Sequence, residues 1–198
     1  DLQDKAEEVV SRALALKQRV PLQGLIVSGA GLAILNPGLE TKVSDAVRIP
    51  VVTAPSASVA ALKVLHAKRL VVITPFDEPM NARLRKLLHD AGLDVISCPA
   101  FEDPTVGSGA KILPDELFRR TVKAFGAAPE ADAIYFQGAR LDPLLIIQRV
   151  EEALRVPVIA SNPAMLWRIL SLVGHRFSIP GYGKLLSDWP AQEFNNSN

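Results

Sequence analysis

Two stretches of this chain, 107 residues apart, carry one pattern: VSDAVRIPVV at 43–52 and VEEALRVPVI at 150–159. Val43, Ala46, Arg48, Pro50 and Val51 recur as Val150, Ala153, Arg155, Pro157 and Val158, within a correspondence that runs over 43–65 and 150–172. At a shift of 109, LIVSGA (25–30) falls on IYFQGA (134–139), so Gly29 overlies Gly138. A unit repeated at this length must fold twice in the same way. Short biased patterns also recur by chance in α/β chains, and that alternative stands. The placement favours two related lobes facing each other, with their strand ends lining one cleft.

The apolar period alternates along the chain. Residues 4–18 put Ala6, Val9, Val10, Ala13 and Leu16 on one stripe, as an amphipathic helix does. Leu25–Ser28 is a short apolar run, the mark of a strand buried on both faces. Helices are expected at 40–48, 57–66, 79–91, 114–126, 143–154 and 163–173, and strands at 51–53, 69–74, 94–97, 133–137 and 157–160. A loop is expected near 99–112. Alternation of this kind predicts a doubly wound α/β fold: two pseudo-symmetric, Rossmann-like lobes with parallel sheets around a central cleft. The first lobe is expected over 1–66, with 180–186 returning to it, the second over 67–179, and a polar, fraying tail over 187–198. The second lobe opens with a strand, a helix and a strand that have no counterpart before residues 4–18. The first lobe is therefore expected to lack roughly 40–45 residues at its N-terminus, making this a shortened version of a longer chain.

Composition narrows the function classes. With 198 residues the chain buries a sizeable core without staples. One cysteine and three scattered histidines argue against a disulfide framework and a structural zinc site. The balance of 22 basic and 21 acidic residues leaves no electrostatic footprint for nucleic acid. Apolar runs stop short of a membrane span, so no membrane partner is expected and the expected compartment is the cytoplasm. The assembly is left open between a monomer and a homo-oligomer.

In an open parallel sheet, ligands sit beyond the carboxyl ends of the strands. Four such ends stand out: Ser28-Gly29-Ala30-Gly31, Thr74-Pro75-Phe76, Gln137-Gly138-Ala139-Arg140 and Ser161-Asn162-Pro163. Glycine lets backbone N–H groups approach a ligand, and two such turns facing each other suit a small carboxylate or dicarboxylate. Each glycine alone equally fits a tight turn; their repeat-related placement favours a site. Gly29-Ala30-Gly31 also resembles the start of a dinucleotide fingerprint. Ile34 occupies the third glycine's place and no clear helix is expected after it, so that reading is set aside.

The stretches PVVTAPSASVAALKVLHAKRLVVITPFDEPMNARLRKLL, RVPVIASNPAMLW and PGYGKLL resemble the aspartate/glutamate racemase superfamily, and within it the maleate isomerase and arylmalonate decarboxylase branch. The likeness runs from Asp1 to about Leu186. It implies two similar α/β lobes around a cleft, no cofactor, and an N-terminus longer than this one that would supply one cleft wall. Racemases and isomerases of this kind carry a cysteine at the strand end of each lobe as acid, base or nucleophile. Those places are Gly29 and Gly138 here. The decarboxylase pattern has glycine at the first and cysteine at the second, small hydroxyl residues after the first glycine, and a tyrosine. Here Ala30, Gly31 and Phe76 stand in those places. Backbone N–H groups remain to hold a carboxylate, but no thiolate remains to move a proton.

Other residues are weighed against blander roles. Cys98 ends an expected strand out of register with the repeat and reads as a buried, inert thiol. His66, His89 and His175 read as surface residues at helix ends or loops. Arg140 suits a carboxylate or an ion pair with Asp142. Ser161 and Asn162 match the family's strand-end pair, or cap the helix that follows. Tyr182 matches the family's GYG segment, or is a buried hydrogen-bonded tyrosine. Leu166 and Trp167 read as ordinary core. Two functions follow. One is a lyase or isomerase acting on a small carboxylate through an enolate-like intermediate. The other is a silent protein that binds the carboxylate in the same cleft.

Overall fold

In the computed structural model, residues 2–99 and 112–191 are described. The expected loop near 99–112 lies almost wholly outside them, as does the end of the expected tail. The chain runs α1 (Ala6–Arg19), β1 (Leu25–Val27), α2 (Ala30–Leu35), α3 (Leu39–Val47), β2 (Val51–Thr53), α4 (Ala54–Val64), β3 (Arg69–Ile73), α5 (Glu78–Asp90) and β4 (Asp94–Ser97). It continues with α6 (Pro114–Gly126), β5 (Ala133–Phe136), two 3-10 turns (Ala139–Leu141 and Pro143–Leu145), α7 (Ile147–Leu154), β6 (Val158–Ala160), α8 (Ser161–Leu172) and α9 (Lys184–Asp188).

Every strand pairing is parallel. β1 and β2 form one sheet; β4-β3-β5-β6 form the other. The repeat is carried into the backbone. α3, β2 and α4 reappear as α7, β6 and α8, and β1 reappears as β5. The Leu25 N–H donates to the Pro50 carbonyl at 2.9 Å, and Ile134 to Pro157 at 3.0 Å. Arg48 (φ 52°) and Arg155 (φ 59°) both close their helices in the left-handed conformation. Counterparts of β3 and β4 are absent from the smaller sheet among the described residues.

Alternation along the strands divides the core into layers. Leu70, Val72, Tyr135 and Ile159 face a middle layer built on α4 and α8, the two repeat-related helices, which pack against each other. Val71, Ile73, Ile134 and Phe136 face α6 and α7. Val27 and Val51 face α1 and α3. Strands covered on both faces read as continuous apolar runs, as Leu70–Ile73 of β3 and Ala133–Phe136 of β5 do.

Several expectations are corrected. A helix does follow Gly29: the segment AGLAIL holds the helix formers Ala and Leu, but six residues are too few to show a helical period. The helix expected over 143–154 begins as a 3-10 turn, because Asp142 (φ 44°) and Pro143 interrupt it. Ser187 lies inside α9 rather than opening a tail. Trp189 beyond it is buried, its indole N–H donating to Ser171 Oγ at 2.9 Å, and Trp167 donates to the Pro190 carbonyl. Within 180–186 the Lys184 N–H donates to Glu151 at 2.7 Å, while Leu185 and Leu186 join the middle layer that both repeat units build. Leu166 is partly exposed, whereas Trp167 is core.

Candidate functional site

The two strand-end glycines share an unusual backbone. Gly29 has φ 95° and ψ 94°; Gly138 has φ 114° and ψ 116°. L side chains rarely adopt this region, so the same turn is built twice at equivalent strand ends. Their surroundings differ. Among the described residues, a Cβ on Gly29 would meet only Leu32 Cβ, at 3.8 Å. A Cβ on Gly138 would fall 2.6 Å from Pro75 Cδ and 2.8 Å from Pro75 Cγ, with Phe76 Cε1 at 3.8 Å. The proline ring occupies that space.

The loop carrying Pro75 is held from below. Thr74 Oγ1 donates to Asn81 Oδ1 at 2.5 Å and accepts from Phe76 N–H, while Asn81 Nδ2 donates to the Phe76 carbonyl at 3.1 Å. Asp77 then caps α5 by accepting from Met80 N–H. Ala30 and Phe76 belong to the same middle layer. Gly31 packs beneath Leu2 Cδ1 (3.3 Å from an added Cβ) and Met80 Cε. The helix after β1 thus packs against α5, the helix after β3.

On the other side of Gly138 lies a cavity of about 60 Å³, lined among others by Phe136, Asp142, Ala160, Ser161 and Asn162. Of the expected site residues it gathers Gly138, Ser161 and Asn162. The helix beside it has Ala160, not Ser161 or Asn162, as its N-cap. Arg140 is exposed on the first 3-10 turn, and the Ala139 backbone lies in the same turn. Tyr182 lies on the surface at 37% exposure, between Gly181 and Gly183; a Cβ on Gly183 would meet Ile147 of α7.

Two polar residues, Ser58 and Tyr135, have no place in the expectations above, and a third, Gln137, figures there only as part of a strand end. Ser58, Tyr135 and Gln137 are buried in the middle layer, the last of them immediately before Gly138. The i, i+2 spacing of Tyr135 and Gln137 on a strand was the available signal. Burial pushes the Tyr135 hydroxyl far above its ordinary pKa, so it stays protonated. The one cysteine follows β4, two strands from β5 in the sheet order, and packs against the same middle layer. Cys98 follows the edge strand β4 and is half-buried; burial raises its pKa, and Arg85 opposes the shift. Among the described residues no group of three or more His, Cys, Asp or Glu is arranged to hold a metal ion. None of the helices among them is long and apolar enough to cross a membrane.

A family profile described as arylmalonate decarboxylase matches residues 4–186. The chain belongs to the arylmalonate decarboxylase family. It is 30% identical to the arylmalonate decarboxylase of Bordetella bronchiseptica over 187 residues, which cover 92% of this chain and 78% of that protein. A crystal structure of an arylmalonate decarboxylase superposes with a TM-score of 0.84 at 29% identity, covering 92% of this chain and 82% of the other. A maleate isomerase of Geobacillus stearothermophilus is 24% identical over 70% of this chain and 55% of its own length. The fold is the two-lobed, Rossmann-like α/β architecture of these proteins.

Proposed function

We propose that this chain binds a small carboxylate or dicarboxylate between its lobes and acts on it as a cofactor-independent lyase or isomerase, through an enolate-like intermediate. Membership of the arylmalonate decarboxylase family supports the reaction class. The observation that carries the site is the pair Gly29 and Gly138, two similar positive-φ turns at repeat-related strand ends. In this reading the N–H groups of Gly29, Ala30, Gly138 and Ala139 face the carboxylate oxygens, where preorganised donors stabilise developing negative charge. Ser161 and Asn162 orient a second oxygen from the cavity side, and Arg140 and Tyr182 flank the entrance. The two lobes divide between residues 66 and 67.

Pro75 favours a second reading, a protein that holds the carboxylate without turning it over. Loss of CO₂ or of a proton leaves an electron pair on the substrate carbon, and the reaction finishes only when a proton is returned there. At residue 138 a proline ring fills the space in which a side chain would begin.

Both readings meet one experiment. The protein is incubated in D₂O with maleate, aspartate, glutamate and phenylmalonate, products and deuterium incorporation are followed by NMR, and thermal unfolding is measured with each acid. Product or exchange with one acid supports the enzyme. Thermal stabilisation without either supports silent binding. No stabilisation and no turnover with any of them overturns the carboxylate site.

A further inference from the structure

The first turns of α4 and α8 are equivalent in the repeat, with Thr53–Ser56 falling on Ala160–Pro163 at the shift of 107, but they are closed differently. At α4 a carboxylate of the chain itself fills the place. Glu40 Oε2 accepts from Thr53 N–H at 2.8 Å, from Thr53 Oγ1 at 3.0 Å and from Ser56 Oγ. An anion suits this position, because the N–H groups that open a helix are unpaired and carry partial positive charge. At α8 each of those parts is replaced. Buried Ile147 stands in the place of Glu40, Ala160 in that of Thr53 and Pro163 in that of Ser56. No side-chain hydrogen bond caps α8 among the described residues. The cavity of about 60 Å³ lies there instead, against Ala160, Ser161, Asn162 and Pro163, with Gly138 on its wall.

Ser161 points to what the cavity takes. It is 5% exposed, and its hydroxyl makes no hydrogen bond among the described residues. Every polar side-chain atom sealed from solvent has a partner among them, so the Ser161 hydroxyl opens on the cavity that it lines. A hydroxyl this deeply placed without a partner costs free energy that a ligand oxygen would restore. The space equals about two water molecules' share of liquid, ~30 Å³ each, which is the size of one carboxylate group and not of a whole acid.

We propose that this cavity is a subsite for one carboxylate of a diacid, held by the Ser161 hydroxyl and the N–H groups that open α8, as Glu40 is held at α4. The inference rests on the carboxylate reading and deepens it: the glycine turns take one carboxyl group, α8 takes the other, and the ligand is a dicarboxylate. Asp142 lines the same cavity from an exposed position, and its negative charge opposes an anion there.

The test is NMR titration with phenylmalonate and phenylacetate, and with succinate and propionate, each pair differing by one carboxylate. The readout is the ratio of monoacid to diacid dissociation constants, and thermal unfolding checks the fold of each variant. The wild type is expected to bind a diacid about tenfold or more tighter than its monoacid. Ser161→Ala is expected to cut that ratio by about threefold or more; where it does not fold, Ser161→Cys is measured against the same criterion. Asp142→Asn, which keeps the size of the side chain and removes the like charge, is expected to raise the ratio by about twofold. A wild-type ratio near one, or a ratio unchanged in the Ser161 variant, overturns the subsite and leaves the carboxylate reading standing. A ratio lowered in Asp142→Asn overturns it too, since the cavity would then favour a donor or a cation. Binding of none of the four acids overturns the carboxylate reading and the subsite with it.

Discussion

Pro75 stands where a side chain on residue 138 would begin, its Cδ 2.6 Å from the position of that Cβ. The contact follows from strand register. Ile73 and Phe136 are partners in the β3–β5 ladder, and Pro75 and Gly138 lie two residues beyond each. Equivalent turns in the two repeat units therefore differ in one respect: the first has space above its glycine and the second has a proline ring.

That asymmetry sets an order of stabilities. Gly29→Ala meets no obstruction among the described residues and costs the strain of its positive φ, about 1–3 kcal/mol. Gly138→Ala carries the same strain plus a clash with Pro75, about 1–3 kcal/mol more. Urea unfolding is expected to rank wild type above Gly29→Ala above Gly138→Ala. Pro75→Ala should remove most of the extra loss in the Gly138→Ala background, a non-additivity that a double-mutant cycle reads directly. Equal losses at the two glycines would contradict the packing described.

Glu40 ties the β2–α4 corner together. Its Oε2 accepts from Thr53 N–H at 2.8 Å, from Thr53 Oγ1 at 3.0 Å, and from Ser56 Oγ. Glu40→Ala removes three hydrogen bonds at the start of the helix that packs on α8, and is expected to cost about 2 kcal/mol. Glu40→Gln keeps one acceptor oxygen and should recover part of it. Chemical denaturation of both variants checks the order; an Ala variant as stable as wild type would count against it.

How much of this was legible differs from element to element. β2 at 51–53 and α6 at 114–126 fall where they are expected, because β2 is an apolar, β-branched run directly after Pro50 and α6 carries a helix period between Pro114 and Gly126. The repeat is written in identical residues and reappears as matching helix ends at Arg48 and Arg155. α2 was hidden, since six residues with Gly31 in the first turn have neither length nor period. Pro75 and Gly138 meet only through a ladder between distant strands, which no local pattern reports. Gln137 is named only as part of its strand end, with the adjacent glycine carrying the chemistry, although strand alternation puts it on the face of Tyr135.

Glu151 gives a pH signature. Burial raises its carboxyl above the ordinary value of 4.5, against the opposing pull of the Val158 and Lys184 N–H donors. A carboxyl raised in the folded state binds its proton more readily there than in the unfolded chain. Its contribution to stability is therefore full below pH 4.5 and declines as pH rises through the window up to the raised value. Glu151→Gln cannot ionise and lacks that decline, whatever constant offset the substitution brings. Unfolding free energy measured against pH for both proteins should give a difference that turns against the wild type as pH increases. A flat or oppositely sloped difference would contradict the raised carboxyl.

Cys98 separates two origins for any proton exchange the protein shows. Its thiol follows the edge strand β4, two strands from β5 in the order β4-β3-β5-β6. It is half-buried, and burial raises its pKa while Arg85 pulls the other way. A thiol with a raised pKa carries little thiolate near neutrality and reacts slowly. Native protein is expected to react with a disulfide reagent such as dithiobis(nitrobenzoate) about tenfold or more slowly than urea-unfolded protein. Cys98→Ser should leave carboxylate binding and any deuterium exchange unchanged. If the exchange disappears in Cys98→Ser while binding persists, the sole thiol is the acid or base, and the backbone-lined cleft between Gly29 and Gly138 is not where the proton moves.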